Sequence, residues 1–267
     1  MLQLLTALLN LFRRPKGPAA PPSISPDYPP KTIAPAPSPT APAAPKTPVS
    51  LPATYRPDEW AGITVESLVA IGVSRANAEK HSPALNRACA RFNIKSHARI
   101  CAFLAQVCHE SGHLAIMREN LNYSAERLCV VFPKKFPSVE AARPYVGNRD
   151  KLAEKLYGGR VGNDQPGDGA KFTGRGFIQL TFKANYERCG RALGLDLVSA
   201  PALVEGSEVA ALAAAWFFSA HGCNEISDAN SEDAVKRATK VINGGYNGLD
   251  DRLAIWRKAK RAFAHLK

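Results

Sequence analysis

Apolar and polar positions divide the chain into three regimes. The first twelve residues, MLQLLTALLNLF, are apolar except for Gln3, Thr6 and Asn10, whose spacing of three and four places them on one helical face. Residues 15–57 show no periodicity. From Asp58 onward apolar residues recur at helical spacing, with many alanines and few β-branched runs. This pattern predicts helices over about 64–72, 75–92, 96–114, 149–156, 182–193, 207–220, 231–243 and 249–265. The seventh has a clear start and stop: Ser231 precedes Glu232 and Asp233, and Gly244-Gly245 follows Asn243. Two stretches, 115–148 and 157–181, lack a period, and the second holds seven glycines. Such loops on a helical scaffold are where a functional site is expected.

Composition explains the middle regime. Fifteen of the 21 prolines fall between Pro15 and Pro57, in a Pro/Ala/Ser/Thr tract that favours extended polyproline II and cannot build a core. It reads as a semi-rigid tether between an N-terminal segment, residues 1–14, and one globular domain, residues 58–267. The apolar stretch of residues 1–12 is too short to cross a bilayer, and Arg13 and Arg14 follow the apolar run, whereas a secretory signal has its basic residues first. The preferred reading is contact with a membrane surface or a partner; an atypical export signal and incidental structure remain as alternatives.

Net charge is +12, with six Lys/Arg against Asp27 in the first 56 residues and an excess of +7 in the remainder. The basic excess fits attraction to a polyanion. No arginine-rich run interleaved with aromatics occurs, so nucleic acid is not the expected partner. The six cysteines, Cys89, Cys101, Cys108, Cys129, Cys189 and Cys223, form no C-x-x-C pair. They read as small buried thiols, with one or two disulfides open if the protein works outside the cytoplasm.

The strongest chemical signal sits at the end of the third predicted helix. His109-Glu110-Ser111-Gly112-His113 matches H-E-x-x-H, the zinc-peptidase pattern. Helical phase argues otherwise. At 100° per residue Glu110 lies about 20° from Phe103, within the apolar stripe of Ile100, Phe103, Leu104, Val107 and Leu114, while His109 and His113 point to the other side. Gly112 weakens the helix here, and no metzincin continuation follows. No metal or cofactor is therefore expected. A carboxylate at the end of an apolar helix suits a general acid, because desolvation disfavours its charged form; the competing reading is a glutamate paired with a nearby Arg or Lys.

Beyond Glu110 come Glu119-Asn120-Leu121-Asn122-Tyr123-Ser124-Ala125, then GRGFIQLT (174–181) with Asn185-Tyr186, then INGGYNG (242–248) and Asp251-Arg252. In this order, over about 150 residues, these motifs resemble glycoside hydrolase family 19, which contains chitinases and lysozyme-like phage endolysins. The resemblance implies a mainly helical α+β, lysozyme-like domain with a central helix and a substrate cleft. It implies Glu110 as general acid, Glu119 as the carboxylate that activates water, and Thr181 as the hydroxyl that holds that water. Gln179, Asn185, Asn243, Arg252 and, more weakly, Tyr123 match positions associated with sugar binding or with tuning the acid. The chemistry is that of an inverting glycosidase, which needs one protonated and one ionised carboxyl with room for a water between them.

Three departures from the plant chitinase pattern bear on substrate: a short segment between the two carboxylates, no cysteine framework, and no Cys-rich module before the linker. Together with the basic charge they favour peptidoglycan, whose stem peptides are acidic, over neutral chitin. A chitinase is the alternative, and an inactive glycan-binding relative or a zinc peptidase are lesser ones. The partner expected is a polysaccharide, the protein a monomer, and its place of action the cell wall.

Overall fold

The computed structural model describes residue 60 and residues 62–266. The apolar segment 1–14 and the proline-rich tract lie outside the described residues, as does the start of the predicted domain.

Twelve α-helices follow one another among the described residues. They are α1 (Val65–Ala70), α2 (Arg75–Arg91), α3 (His97–Glu110), α4 (Ala125–Val131), α5 (Val139–Ala142), α6 (Arg149–Tyr157), α7 (Asp168–Lys171), α8 (Lys183–Leu193), α9 (Ser207–Ala220), α10 (Cys223–Ser227), α11 (Glu232–Asn243) and α12 (Leu249–Ala262). Among the described residues, extended pairing is confined to two isolated bridges, Arg118 with Arg175 and Arg175 with Leu180. The expected α+β class is therefore corrected to mainly α. The glycine-rich stretch makes turns instead of strands, with left-handed backbone at Gly176, Gln179 and Phe182.

All eight predicted helices are present, most within two residues at each end. The eighth stops at Ala262 instead of 265, and the third at Glu110 instead of 114. Ser111 ends the third: its Oγ donates to the Val107 carbonyl at 2.6 Å and accepts from the Leu114 N–H at 2.9 Å. Gly112, His113 and Leu114 then take positive φ in succession, a left-handed turn that no helical wheel describes.

α3 is the structural axis. Every residue from Ile100 to Cys108 is buried, so the helix is enclosed on all sides, as expected for one that is apolar nearly all round. It packs most extensively on α12 and also touches α9, α10 and α11, while α2 packs on α9. This forms the main core. A second, smaller core gathers Leu121, just before α4, with Leu128, Phe136, Leu152 and Leu156 from α4 to α6. Glu119 lies on the segment joining α3 to that second core. All six cysteines are free thiols, five of them buried. Burial pushes the Cys101 and Cys108 thiols up to about 12, so neither is a nucleophile near neutral pH.

Candidate active site

Glu110 is the last residue of α3, with its side chain 9 % exposed. Arg252, on the first turns of α12 and fully buried, donates from Nη2 to Glu110 Oε1 at 2.7 Å. The same guanidinium donates from Nη1 to Gln106 Oε1 at 2.6 Å, and Gln106 Nε2 donates to Thr239 Oγ1 at 3.1 Å. A planar fork can span two acceptors one helical turn apart on α3, which a lysine cannot do. Glu110 is thus ion-paired, the competing feature weighed above, and Arg252 stands beneath it as a partner. An acid at this position carries its proton on the oxygen that Arg252 does not engage.

The two histidines of the H-E-x-x-H match are held on different elements. His109 Nδ1 meets Asp251 Oδ2 at 2.7 Å, and its ring lies against Gly248. Burial and the neighbouring Arg252 lower the His109 pKa, so it is neutral near pH 7 and donates to Asp251. The His113 ring, carried by the left-handed turn, packs against Gly72 between α1 and α2. Adjacent residues of α3 and α12 therefore form a double clasp, His109 with Asp251 and Glu110 with Arg252.

Glu119 is 6 % exposed. Its backbone pairs with the glycine-rich turn, the Glu119 N–H donating to the Gly174 carbonyl at 3.0 Å. Its carboxylate accepts from the Gly174 N–H on Oε1 and from the Tyr157 hydroxyl on Oε2, each at 2.6 Å. Burial raises the Glu119 pKa, and the two hydrogen bonds, Arg149 and Arg175 oppose that shift without cancelling it.

Gly174 is the point on which three predicted residues converge. A β-carbon there would stand 3.0 Å from Gln179 Oε1, 3.3 Å from Thr181 Oγ1 and 3.4 Å from Glu119 Cδ. The Gln179 backbone is left-handed, φ 51°, which brings its side chain back over the turn, where Nε2 donates to the Gly176 carbonyl at 2.9 Å. Its Oε1 is buried with no hydrogen-bond partner among the described residues. Thr181 Oγ1 donates to the Gln179 carbonyl at 2.9 Å. Asn185 is buried and donates from Nδ2 to the Thr181 carbonyl at 2.8 Å. That bond holds the turn in place. Asn243 ends α11 with Oδ1 buried and, among the described residues, without a hydrogen-bond partner. Tyr123 is half-buried, edge-on to Phe132 at 5.8 Å, and feels the charge of Glu119.

Sequence reasoning missed Tyr157, Arg149, Gln106 and Gly174. Gln106 had a legible signal, since it is the lone polar residue in the apolar run of α3. Arg149 bonds the Glu119 carbonyl from 30 positions away and Tyr157 its carboxylate from 38; no local pattern announces either.

The sequence model of glycoside hydrolase family 19, described as "Chitinase class I", matches residues 76–236, more than half of the chain. The chain belongs to glycoside hydrolase family 19. A "Glycosyl hydrolase family 19 domain-containing protein" of Haemophilus influenzae is 39 % identical over 158 residues, 58 % of this chain and 75 % of its own length. The "Inactive chitinase-like protein 1" of Hevea brasiliensis is 33 % identical over 120 residues, 36 % of this chain and 38 % of its own, so the chain spans well under half of that plant relative. The crystal structure of chitinase C from Streptomyces griseus superposes with a TM-score of 0.53 at 21 % identity, covering 78 % of this chain and 95 % of the other. That likeness concerns the fold, and it supports the mainly helical architecture found for this family 19 glycoside hydrolase.

Proposed function

We propose that this family 19 enzyme hydrolyses β-1,4 glycosidic bonds of bacterial peptidoglycan by an inverting, two-carboxylate mechanism. Glu110 protonates the departing glycosidic oxygen. Glu119 takes a proton from the attacking water, which Thr181 helps to hold, and the water oxygen bonds to the anomeric carbon as the bond to the leaving oxygen breaks. No covalent intermediate forms. The observation that carries this reading is the convergence of Glu119, Thr181 and Gln179 on the space beside Gly174. Gln179 Oε1 and Asn243 Oδ1, both buried and without a hydrogen-bond partner among the described residues, are acceptors that substrate hydroxyl or amide groups can satisfy.

The basic excess, +7 over residues 57–267, favours an acidic glycan. Relatives named as chitinases favour a second reading, hydrolysis of chitin: an "Endochitinase 2" from Gossypium hirsutum and a "Chitinase 2" from rice. Digesting purified sacculi and colloidal chitin side by side separates the two. Faster release from sacculi is expected; equal or faster release from chitin replaces peptidoglycan with chitin. Replacement of Glu110 by Gln removes activity if the site works as proposed; an inert wild type would instead leave a glycan-binding role without hydrolysis, and the Hevea relative is itself named as inactive.

We also propose that the enzyme acts at the cell wall and that residues 1–14 hold it at a membrane surface. Deleting them is expected to move the protein from the membrane to the soluble fraction, and an unchanged partition would refute that role.

A further inference from the structure

The carboxylate of Glu119 receives two hydrogen bonds, one per oxygen, from donors of different kinds. The Gly174 N–H is backbone, fixed by the reciprocal Glu119–Gly174 pairing and by the bridge of Arg118 with Arg175. Among the described residues, the Tyr157 hydroxyl is the only side-chain group that donates to this carboxylate.

The charged and titratable groups around it are otherwise engaged. Arg149, on α6, donates to the Glu119 carbonyl at 3.0 Å and to Thr173 Oγ1 at 3.4 Å. Arg175, on the turn, donates to Glu205 at 2.8 Å, to Tyr186 Oη at 3.0 Å and to the carbonyls of Lys171 and Thr173. Tyr186 on α8 spends its proton on the Thr173 carbonyl at 2.8 Å, and Tyr123 interacts with Glu119 through charge. Both arginines bias Glu119 toward ionisation from a distance without orienting its oxygens.

Tyr157 can orient them because it is itself held. It is the last residue of α6, its carbonyl accepts from Asn163 Nδ2 at 3.0 Å, and its ring lies edge-on to Phe182 with centroids 5.6 Å apart. Phe182 in turn follows Thr181 directly. One short run therefore carries the hydroxyl facing Glu119 and the ring that seats the tyrosine.

We infer that Tyr157 is a positioning residue for the base: its O–H, donated to Glu119 Oε2, fixes the carboxylate plane and favours the ionised form that must accept the proton of water. The inference rests on Glu119 being the base. A phenol donor engages one lone-pair direction of Oε2 and leaves the remaining in-plane directions of the carboxylate for the water. It also works against the burial that makes ionisation unfavourable.

The test is the pH dependence of kcat/KM for Tyr157→Phe, which keeps the ring against Phe182 and removes only the hydroxyl. The base must be ionised, so loss of a donor to the ionised form moves the acidic limb to higher pH, by about one unit. The plateau kcat is expected to fall about three- to tenfold with KM nearly unchanged. Unfolding temperatures of variant and wild type establish that both are folded. Fluorotyrosines at position 157, whose more acidic phenols donate more strongly, provide a second series in which the limb moves to lower pH as fluorines are added. An acidic limb that stays in place in both series overturns the inference, including when kcat falls, since that is what a purely structural role produces. Glu119→Gln separates the two levels: if it stays active, the assignment of the base fails and the inference fails with it; if it is inactive while the Tyr157 variants leave the limb unmoved, only the inference fails.

Discussion

At the residue scale the site is two carboxylates in unlike surroundings. Glu110 sits over a buried guanidinium at a helix end, and Glu119 is enclosed with one donor on each oxygen. Replacing Glu110 by Gln is expected to lower kcat by about a hundredfold or more, measured as release of reducing ends. Because burial holds the Glu119 pKa above the ordinary carboxylate value of about 4.3, a base at this position loses activity as pH falls through a value higher than that. A kcat/KM profile whose acidic limb lies at or below the ordinary value would show that Glu119 does not limit it. Arg252 offers a sharper contrast. Arg252→Met strips a buried carboxylate of its partner and is expected to destabilise the fold by about 3–5 kcal/mol as well as to abolish activity. Arg252→Lys keeps the charge but cannot reach Gln106 and Glu110 together, so activity should fall with a smaller loss of stability, read from denaturant unfolding.

At the element scale, function depends on how α3 ends and on what the glycine-rich turn leaves open. Gly174→Ala needs no unusual backbone, yet its β-carbon would occupy the space that Gln179, Thr181 and Glu119 share. The expected result is a folded protein with about a tenfold or greater loss of activity, checked by circular dichroism beside turnover. Much of this level was legible in the sequence. The start of α11 at Ser231 and its stop at Gly244 follow from capping chemistry, and the Ser231 side chain indeed accepts from the Ala234 N–H at 3.2 Å. The early end of α3 was only partly legible: Gly112 signalled an end near this point, but Leu114 continues the apolar period and drew the predicted bound to 114, while Ser111 closes the helix through its own hydroxyl. Not legible were α4, α5, α7 and α10, helices of four to seven residues that are too short to show a period and are stabilised by tertiary packing. In the candidate site, Glu110 was expected from helical phase and motif and Glu119 from motif, whereas Tyr157 and Arg149 lie beside Glu119 only through the fold.

At the scale of the whole molecule, the basic excess and the two cores set the context for substrate. A positively charged enzyme acting on an acidic polymer should lose activity on sacculi as salt rises from about 0.05 to 0.5 M, while hydrolysis of a neutral chito-oligosaccharide changes little. Parallel salt profiles would remove charge as a reason to prefer peptidoglycan. The chain's membership of family 19 fixes the class of reaction; in the proposed mechanism the two carboxylates set the positions of water and acid about the bond. That arrangement has one direct readout, the configuration of the new reducing end. Proton NMR of the first product released from soluble peptidoglycan glycan strands, recorded before mutarotation, should show the α-anomer from a β-linked substrate. A β-anomer at first appearance would mean retention, and would contradict the assignment of Glu119 as a base acting through water.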